Sequence, residues 1–123
     1  MQVVITNFEV GKVDLFDAAR LAKMKKGAFL VNTARGGIVN ERALFDALTS
    51  GHIAGAGLDV FDAEPTPVNN DLLTLPNVIA SPHMAGVTVE SIAGMALVTA
   101  QNILSVIDGA PNMENAVNPE VFG

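Results

Sequence analysis

Four short apolar runs are spaced along this chain, and between them lie stretches with helical character. Ala28-Phe29-Leu30-Val31-Asn32 constrains the fold most. It is an unbroken apolar run of strand length, the pattern of a parallel strand buried on both faces. Val3-Val4-Ile5 is a β-branched run of the same kind, Ile53 to Phe61 gives a third, and Asn77-Val78-Ile79-Ala80 a fourth. Asp17 is placed to cap a helix through Leu21 to Lys25 that Gly27 closes. Asn40 is placed to cap a second, with Ala43, Leu44, Ala47 and Leu48 on one face and Gly51 at its end. A long apolar helix is expected from Thr88 to about Ile107, stopped by Gly109. Such alternation with right-handed crossovers predicts an α/β fold, a small parallel sheet carrying helices on its faces.

Residues 6–14 and 62–76 read as loops, the second with a helical turn near Asp71 to Leu75. The Pro- and Asn-rich tail to Gly123 reads as having little structure of its own. There is no internal repeat. At 123 residues and 50% hydrophobic content, the chain has room for one core.

The formal charge of −6 is unevenly spread: all seven basic residues lie at or before Arg42, and beyond it there are only acids. Phosphate backbones repel such a chain, so nucleic-acid binding is not expected. The basic cluster Lys23 to Lys26 suits the negative end of a helix dipole. With no cysteine there are no disulfides or zinc-thiolate sites, and a cytoplasmic location is expected. No apolar run reads as long enough to cross a bilayer, and Met1 to Asn7 has no basic leader segment, so no membrane partner is expected.

The chemistry gathers where the strands stop. In Gly57-Leu58-Asp59-Val60-Phe61-Asp62-Ala63-Glu64-Pro65 an apolar run ends in carboxylates and a proline. Arg35 follows the 28–32 run, and His83 follows the 77–80 run. On a parallel sheet these segments share one edge, the edge at which α/β proteins keep their sites. Arg35 reads either as a bidentate clamp on a carboxylate or as a surface loop arginine. His83 reads either as an acid–base group, since imidazole exchanges protons at neutral pH, or as a hydrogen-bonded loop histidine. Glu64 is the carboxylate expected to orient it. His52, beside a helix end, reads as a capping residue. Asp59, Asp62, Glu64 and His83 have no spacing that specifies a metal, so none is expected. Gly55-Ala56-Gly57 is a false lead for a nucleotide loop: it lies inside a strand, and Val60 stands where the third glycine is needed.

Three motifs taken together are more specific than any of these. Asn32-Thr33-Ala34-Arg35-Gly36-Gly37, then Gly55-Ala56-Gly57-Leu58-Asp59-Val60-Phe61 with Glu64-Pro65, then Pro82-His83-Met84-Ala85-Gly86 resemble the D-isomer-specific 2-hydroxyacid dehydrogenases in order and spacing. The helix after them and the tail Val117-Asn118-Pro119-Glu120 match as well.

The resemblance implies a partial doubly wound, Rossmann-like sheet: its second half only, with a long C-terminal helix. Residues 1–14 would stand apart as an N-terminal segment, 15–108 would be a partial NAD-binding domain, and 109–123 a tail. It also implies a hydride exchanged between NAD or NADP and a 2-hydroxy or 2-keto acid. Arg35 would bind the substrate carboxylate, His83 would carry the hydroxyl proton, and Glu64 would orient His83. Thr33, Ala34, Arg35, His83, Met84, Ala85 and Gly86 would line the nicotinamide-ribose end, with Asp59 at the carboxamide. Glu64-Pro65 fits the main branch and disfavours formate as substrate.

Family members carry a glycine-rich GxGxxG turn, a ribose-reading acid and most of a substrate domain ahead of this region. They also have a His-x-Pro-Leu loop after the first strand, where this chain has Thr6-Asn7-Phe8-Glu9-Val10-Gly11. The exposed edge of such a half-sheet invites another chain, and a homodimer is expected. The alternative is a truncated, non-catalytic relative that serves as an assembly module or has no function.

Overall fold

A computed structural model describes residues 1–6 and 14–122 of the chain. Residue contacts divide it into two compact units, Met1–Ala85 and Gly86–Gly123. The first unit holds a four-stranded sheet in the order β1-β2-β3-β4, with strands Val3–Thr6, Ala28–Asn32, Ile53–Leu58 and Val78–Ala80. Every pairing is parallel. Helices α1 (Ala18–Lys23) and α2 (Glu41–Thr49) lie between successive strands in the chain.

Both helices start where a side chain can accept an orphan backbone N–H. The Asp17 carboxylate accepts from Arg20 N, and the Asn40 amide oxygen accepts from Ala43 N. Gly27 and Gly51, past the helix ends, have positive φ. His52 does cap a carbonyl, but on α1: its Nε2 lies 3.2 Å from Leu21 O.

The core is built from Leu21 of α1, Leu44 and Leu48 of α2, and the inward residues Ala28, Leu30, Ile53, Ala56 and Leu58 of the sheet. The opposite face differs from the expected two-sided burial. Phe29 is 40% exposed, Ile5 68% and Ile79 80%. Both helices of this unit pack on the Leu30 side, so alternate residues face outward along an open groove lined by Phe29, Val31, Gly55, Gly57 and Ile79. The glycines of the false nucleotide motif belong to this groove. A Cβ on Gly55 would lie 3.1 Å from the Phe29 ring and 3.0 Å from Asn77 O.

Two further boundaries differ from expectation. Strand β3 ends at Leu58 rather than Phe61, because after Asp59 the backbone turns to serve the neighbouring loops: Asp59 N still reaches Asn32 O, but Asp59 O accepts from His83 N. The tail is more ordered than expected, with 3-10 turns at Met113–Asn115 and Pro119–Phe122. The loop expected at 6–14, including the place of the His-x-Pro-Leu motif, falls largely on residues 7–13, outside the described residues.

The second unit is dominated by α3 (Val89–Ile107), opened by a capping box in which Thr88 and Ser91 exchange hydrogen bonds. This helix corrects the expectation that no apolar run is long enough to cross a bilayer. At 19 residues and a mean hydropathy of 1.3 it is long and apolar enough to span a bilayer. Glu90, Gln101 and Asn102 interrupt the run in sequence without lowering the average below that of a span. Length and composition are equally those of a helix that packs in a protein core.

Candidate active site

At the carboxyl ends of β2, β3 and β4 the chain makes three loops. Each is organised by a polar side chain on one of these strands or in the loops that follow them.

The loop after β2 is folded on Asn32, which is buried. Its Oδ1 accepts from Thr6 Oγ1 at 2.7 Å and from Ala34 N at 3.2 Å, while its Nδ2 donates to Arg35 O at 3.1 Å. An Asn that bonds backbone groups two and three residues ahead of it fixes the path of Thr33-Ala34-Arg35. Ala34 is buried, whereas Thr33 and Arg35 are exposed. The Arg35 guanidinium donates to Ala34 O at 2.7 Å, and its charge is felt at Glu64.

The loop after β3 carries Glu64. Its Oε1 accepts from Phe61 N at 3.1 Å and its Oε2 lies 2.8 Å from His83 Nδ1. The hydrogen bond to His83 comes first, then the Phe61 N–H, in holding this carboxyl below the usual glutamate range. Asp62 is exposed and also ties two loops together, accepting from Gly37 N at 2.7 Å. Burial pushes the Asp62 carboxyl up. The Gly37 N–H opposes that shift, and the charges of Glu41 and Asp14 add to it.

The loop after β4 is wrapped around Asp59, a residue only 3% exposed. Asp59 Oδ1 accepts from Ser81 Oγ and from Met84 N at 2.8 Å, and Oδ2 accepts from Ala85 N at 2.8 Å. Burial pushes this carboxyl up. The bonds from Ser81, Ala85 and Met84, with the charge of His83, outweigh burial and hold it below the usual range.

Glu64, His83, Asp59, Met84 and Ala85 thus form one hydrogen-bonded cluster, and Arg35 is joined to it through its field on Glu64. Gly86, the last of the residues expected at the cofactor, opens the second unit, where its carbonyl accepts from Ser91 Oγ at 2.7 Å. The cluster borders a cleft of about 470 Å³ lined by Asp59, Glu64, Pro65, Thr66, Ser81, Pro82 and His83. A larger cleft of about 570 Å³ lies over the start of α2, among Asn40, Glu41, Asp62 and Asn70. Among the described residues it contains no histidine, and its Glu41 accepts from Asp62 N and Asn70 Nδ2. His83 borders the first cleft and not the second. Among the described residues no group of three or more His, Asp or Glu is placed to hold a metal.

Asn32, Ser81 and Asp62 are the organising residues that a reading of the motifs alone overlooks. The one available signal is their position, as short polar side chains where a strand ends.

Fold and loops together are those of the second half of a Rossmann-like nucleotide domain. The chain belongs to the D-isomer-specific 2-hydroxyacid dehydrogenase family, whose NAD-binding domain it matches over residues 3–85. It is 48% identical over 109 residues to glyoxylate/hydroxypyruvate reductase B of Citrobacter koseri, covering 89% of this chain and 33% of that protein. To the reductase of the same name from Serratia proteamaculans it is 49% identical over 103 residues, covering 84% of this chain and 31% of that protein. The chain therefore spans about a third of the length of the curated relatives it matches.

Among solved structures it resembles the NAD-complexed D-isomer-specific 2-hydroxyacid dehydrogenase of Lactobacillus delbrueckii ssp. bulgaricus, at a TM-score of 0.80 and 32% identity, over 90% of this chain and 38% of that one. It also resembles the NADPH-dependent glyoxylate/hydroxypyruvate reductase of Sinorhizobium meliloti in complex with citrate, at a TM-score of 0.82 and 33% identity, over 90% of this chain and 36% of that one.

Proposed function

We propose that this chain carries the acid–base and carboxylate-binding groups of an active site that moves a hydride between NAD or NADP and a D-2-hydroxy acid or its 2-keto acid. The observation that carries the reading is the Glu64–His83 pair, 2.8 Å apart at the carboxyl edge of a parallel sheet in a member of this family. Doubly wound sheets take nucleotides at that edge.

Arg35 binds the substrate carboxylate, which its planar guanidinium fits in a bidentate manner. Glu64 occupies Nδ1 of His83, so Nε2 is the nitrogen that exchanges a proton with substrate. In the oxidising direction Nε2 takes the hydroxyl proton while C2 loses its hydride and becomes a carbonyl carbon. In the reducing direction Nε2 returns the proton to the carbonyl oxygen as C2 gains the hydride. The nicotinamide cofactor, when bound, supplies the hydride acceptor or donor. Among the described residues Asp59 Oδ2 carries a single donor, Ala85 N, and its other accepting position suits a carboxamide N–H. Thr33, Ala34, Met84, Ala85 and Gly86 lie on the two loops that would border the nicotinamide-ribose end. Like the activity, a cytoplasmic homodimer is part of this proposal.

A second reading has its own observation, the open apolar groove on the outer face of the sheet. In that reading the chain is a non-catalytic assembly module. NADH fluorescence titration followed by turnover of a 2-keto acid separates the two. Saturable NADH binding, with turnover abolished by His83→Ala, is the expected result. No binding at millimolar NADH overturns hydride transfer by this chain.

A further inference from the structure

We propose that Ser81 is a positioning residue for His83: with Asp59 it forms a latch that fixes the Ser81–Ala85 turn, and with it the direction of an imidazole that Ser81 does not touch. The functional weight of the latch rests on the reading of His83 as the proton carrier. Its structural content does not.

The backbone of His83 is left-handed, with φ at 55°. A residue with a Cβ adopts that conformation when its surroundings over-determine it, and here Asp59 supplies several of the bonds that do so. Its carbonyl accepts from His83 N at 2.8 Å. Its carboxylate accepts from Ser81 Oγ on one side of His83, and from Met84 N and Ala85 N on the other. Four donors from one five-residue turn therefore converge on a single residue.

Asp59 is itself fixed to the sheet, since Asp59 N donates to Asn32 O at 2.9 Å and Ser81 N to Leu58 O at 2.9 Å. The turn is thus referred to the strands. A buried carboxylate must keep its hydrogen bonds, so opening the turn would strand a charge. Of the three donors to that carboxylate among the described residues, the Ser81 hydroxyl is the only side chain. Without it Oδ1 keeps Met84 N alone, and the turn loses its anchor on the side that leads into His83. The far end of the chain of contacts is the ring itself, held 2.8 Å from Glu64, which is held in turn by Phe61 N.

The test uses the ligand-free 123-residue chain and variants Ser81→Ala and Ser81→Thr. Carboxyl-detected NMR follows the titration of Glu64, and the His83 Cα shift reports its left-handed backbone. The charged neighbours of Glu64 are His83 and Arg35. Ser81→Ala is expected to raise the Glu64 midpoint toward that of an ordinary exposed glutamate and to move the His83 Cα shift, with β2 and β3 amides unchanged. Ser81→Thr, which keeps the hydroxyl, restores both. Arg35→Gln serves as a control that moves Glu64 but leaves the His83 Cα shift in place. If Ser81→Ala loses its fold, Ser81→Cys, close in size but a weaker donor, is expected to give intermediate values. Wild-type values in a folded Ser81→Ala or Ser81→Cys protein overturn the latch. Neither measurement involves cofactor or substrate, so loss of the latch leaves the hydride-transfer reading standing, and absence of turnover leaves the latch standing.

Discussion

Gly36 and the carbonyl of Phe61 are in direct backbone contact: a Cβ on Gly36 would fall 1.9 Å from that oxygen. The Arg35 loop and the Glu64 loop meet at a point where only hydrogen fits. One residue on, Gly37 N donates to Asp62, so the two loops are tied as well as touching. Gly36→Ala must push them apart. A loss of about 1–3 kcal/mol is expected, as for other overpacked sites. Thermal unfolding gives the energy, and amide shifts of Arg35 and Glu64 show whether both loops move. A Gly36→Ala protein as stable as wild type would contradict the close approach.

The one-sided sheet makes a paired prediction. Leu30 is fully buried against the helices, while Ile79 on the outer face is 80% exposed. Leu30→Ala is expected to cost about 2–5 kcal/mol. Ile79→Ala is expected to stay within about 0.5 kcal/mol, as for other surface positions. Urea unfolding of both variants decides it. Equal costs would mean that something covers the outer face in solution.

Much of the fold is legible in the sequence because it is written in local terms. Asp17, Asn40 and Thr88 announce their helices, since a cap involves residues three apart, and the apolar runs announce their strands. What periodicity does not encode is which face lacks a partner, so Phe29 and Ile79 read as core residues and lie on the surface. The site divides in the same way. Arg35, Glu64 and His83 stand out at strand ends, and the family resemblance gives them roles. The work of Asn32, Asp62 and Ser81 depends on partners brought close only by the folded sheet. Gly37 and Asp62 are 25 residues apart, and Ser81 and Asp59 are 22. The long helix is hard to read for the opposite reason: its polar residues are conspicuous one by one and minor in the average.

The hydride-transfer reading assigns different kinetic signatures to its residues. His83→Ala removes the proton carrier, a contribution of about 10²–10⁴ in rate. Glu64→Gln leaves the ring but weakens its orientation, so a smaller fall in kcat is expected, with KM for the 2-keto acid little changed. Arg35→Gln loosens the carboxylate contact and is expected to raise KM more than it lowers kcat. Steady-state kinetics on the three variants tests the division. A Glu64→Gln effect confined to KM would remove Glu64 from the proton-transfer arrangement.

The carboxylates give stability a pH dependence whose sign differs from residue to residue. Asp59 and Glu64 have folded-state values below their unfolded ones. Their contribution is complete above the unfolded carboxylate value and is lost as pH falls through the folded one. Asp62 is shifted up, so its contribution is present below its unfolded value and is lost as pH rises through the folded value. Asp59→Asn is expected to flatten the acid limb of a urea-midpoint curve, and Glu64→Gln to flatten it less, because water screens that exposed pair. Asp62→Asn keeps an oxygen for Gly37 N and drops the repulsion from Glu41 and Asp14. It is therefore expected to be at least as stable as wild type at pH 7. An Asp62→Asn protein that is clearly weaker there would show that the charge on Asp62, rather than its shape, holds the two loops together.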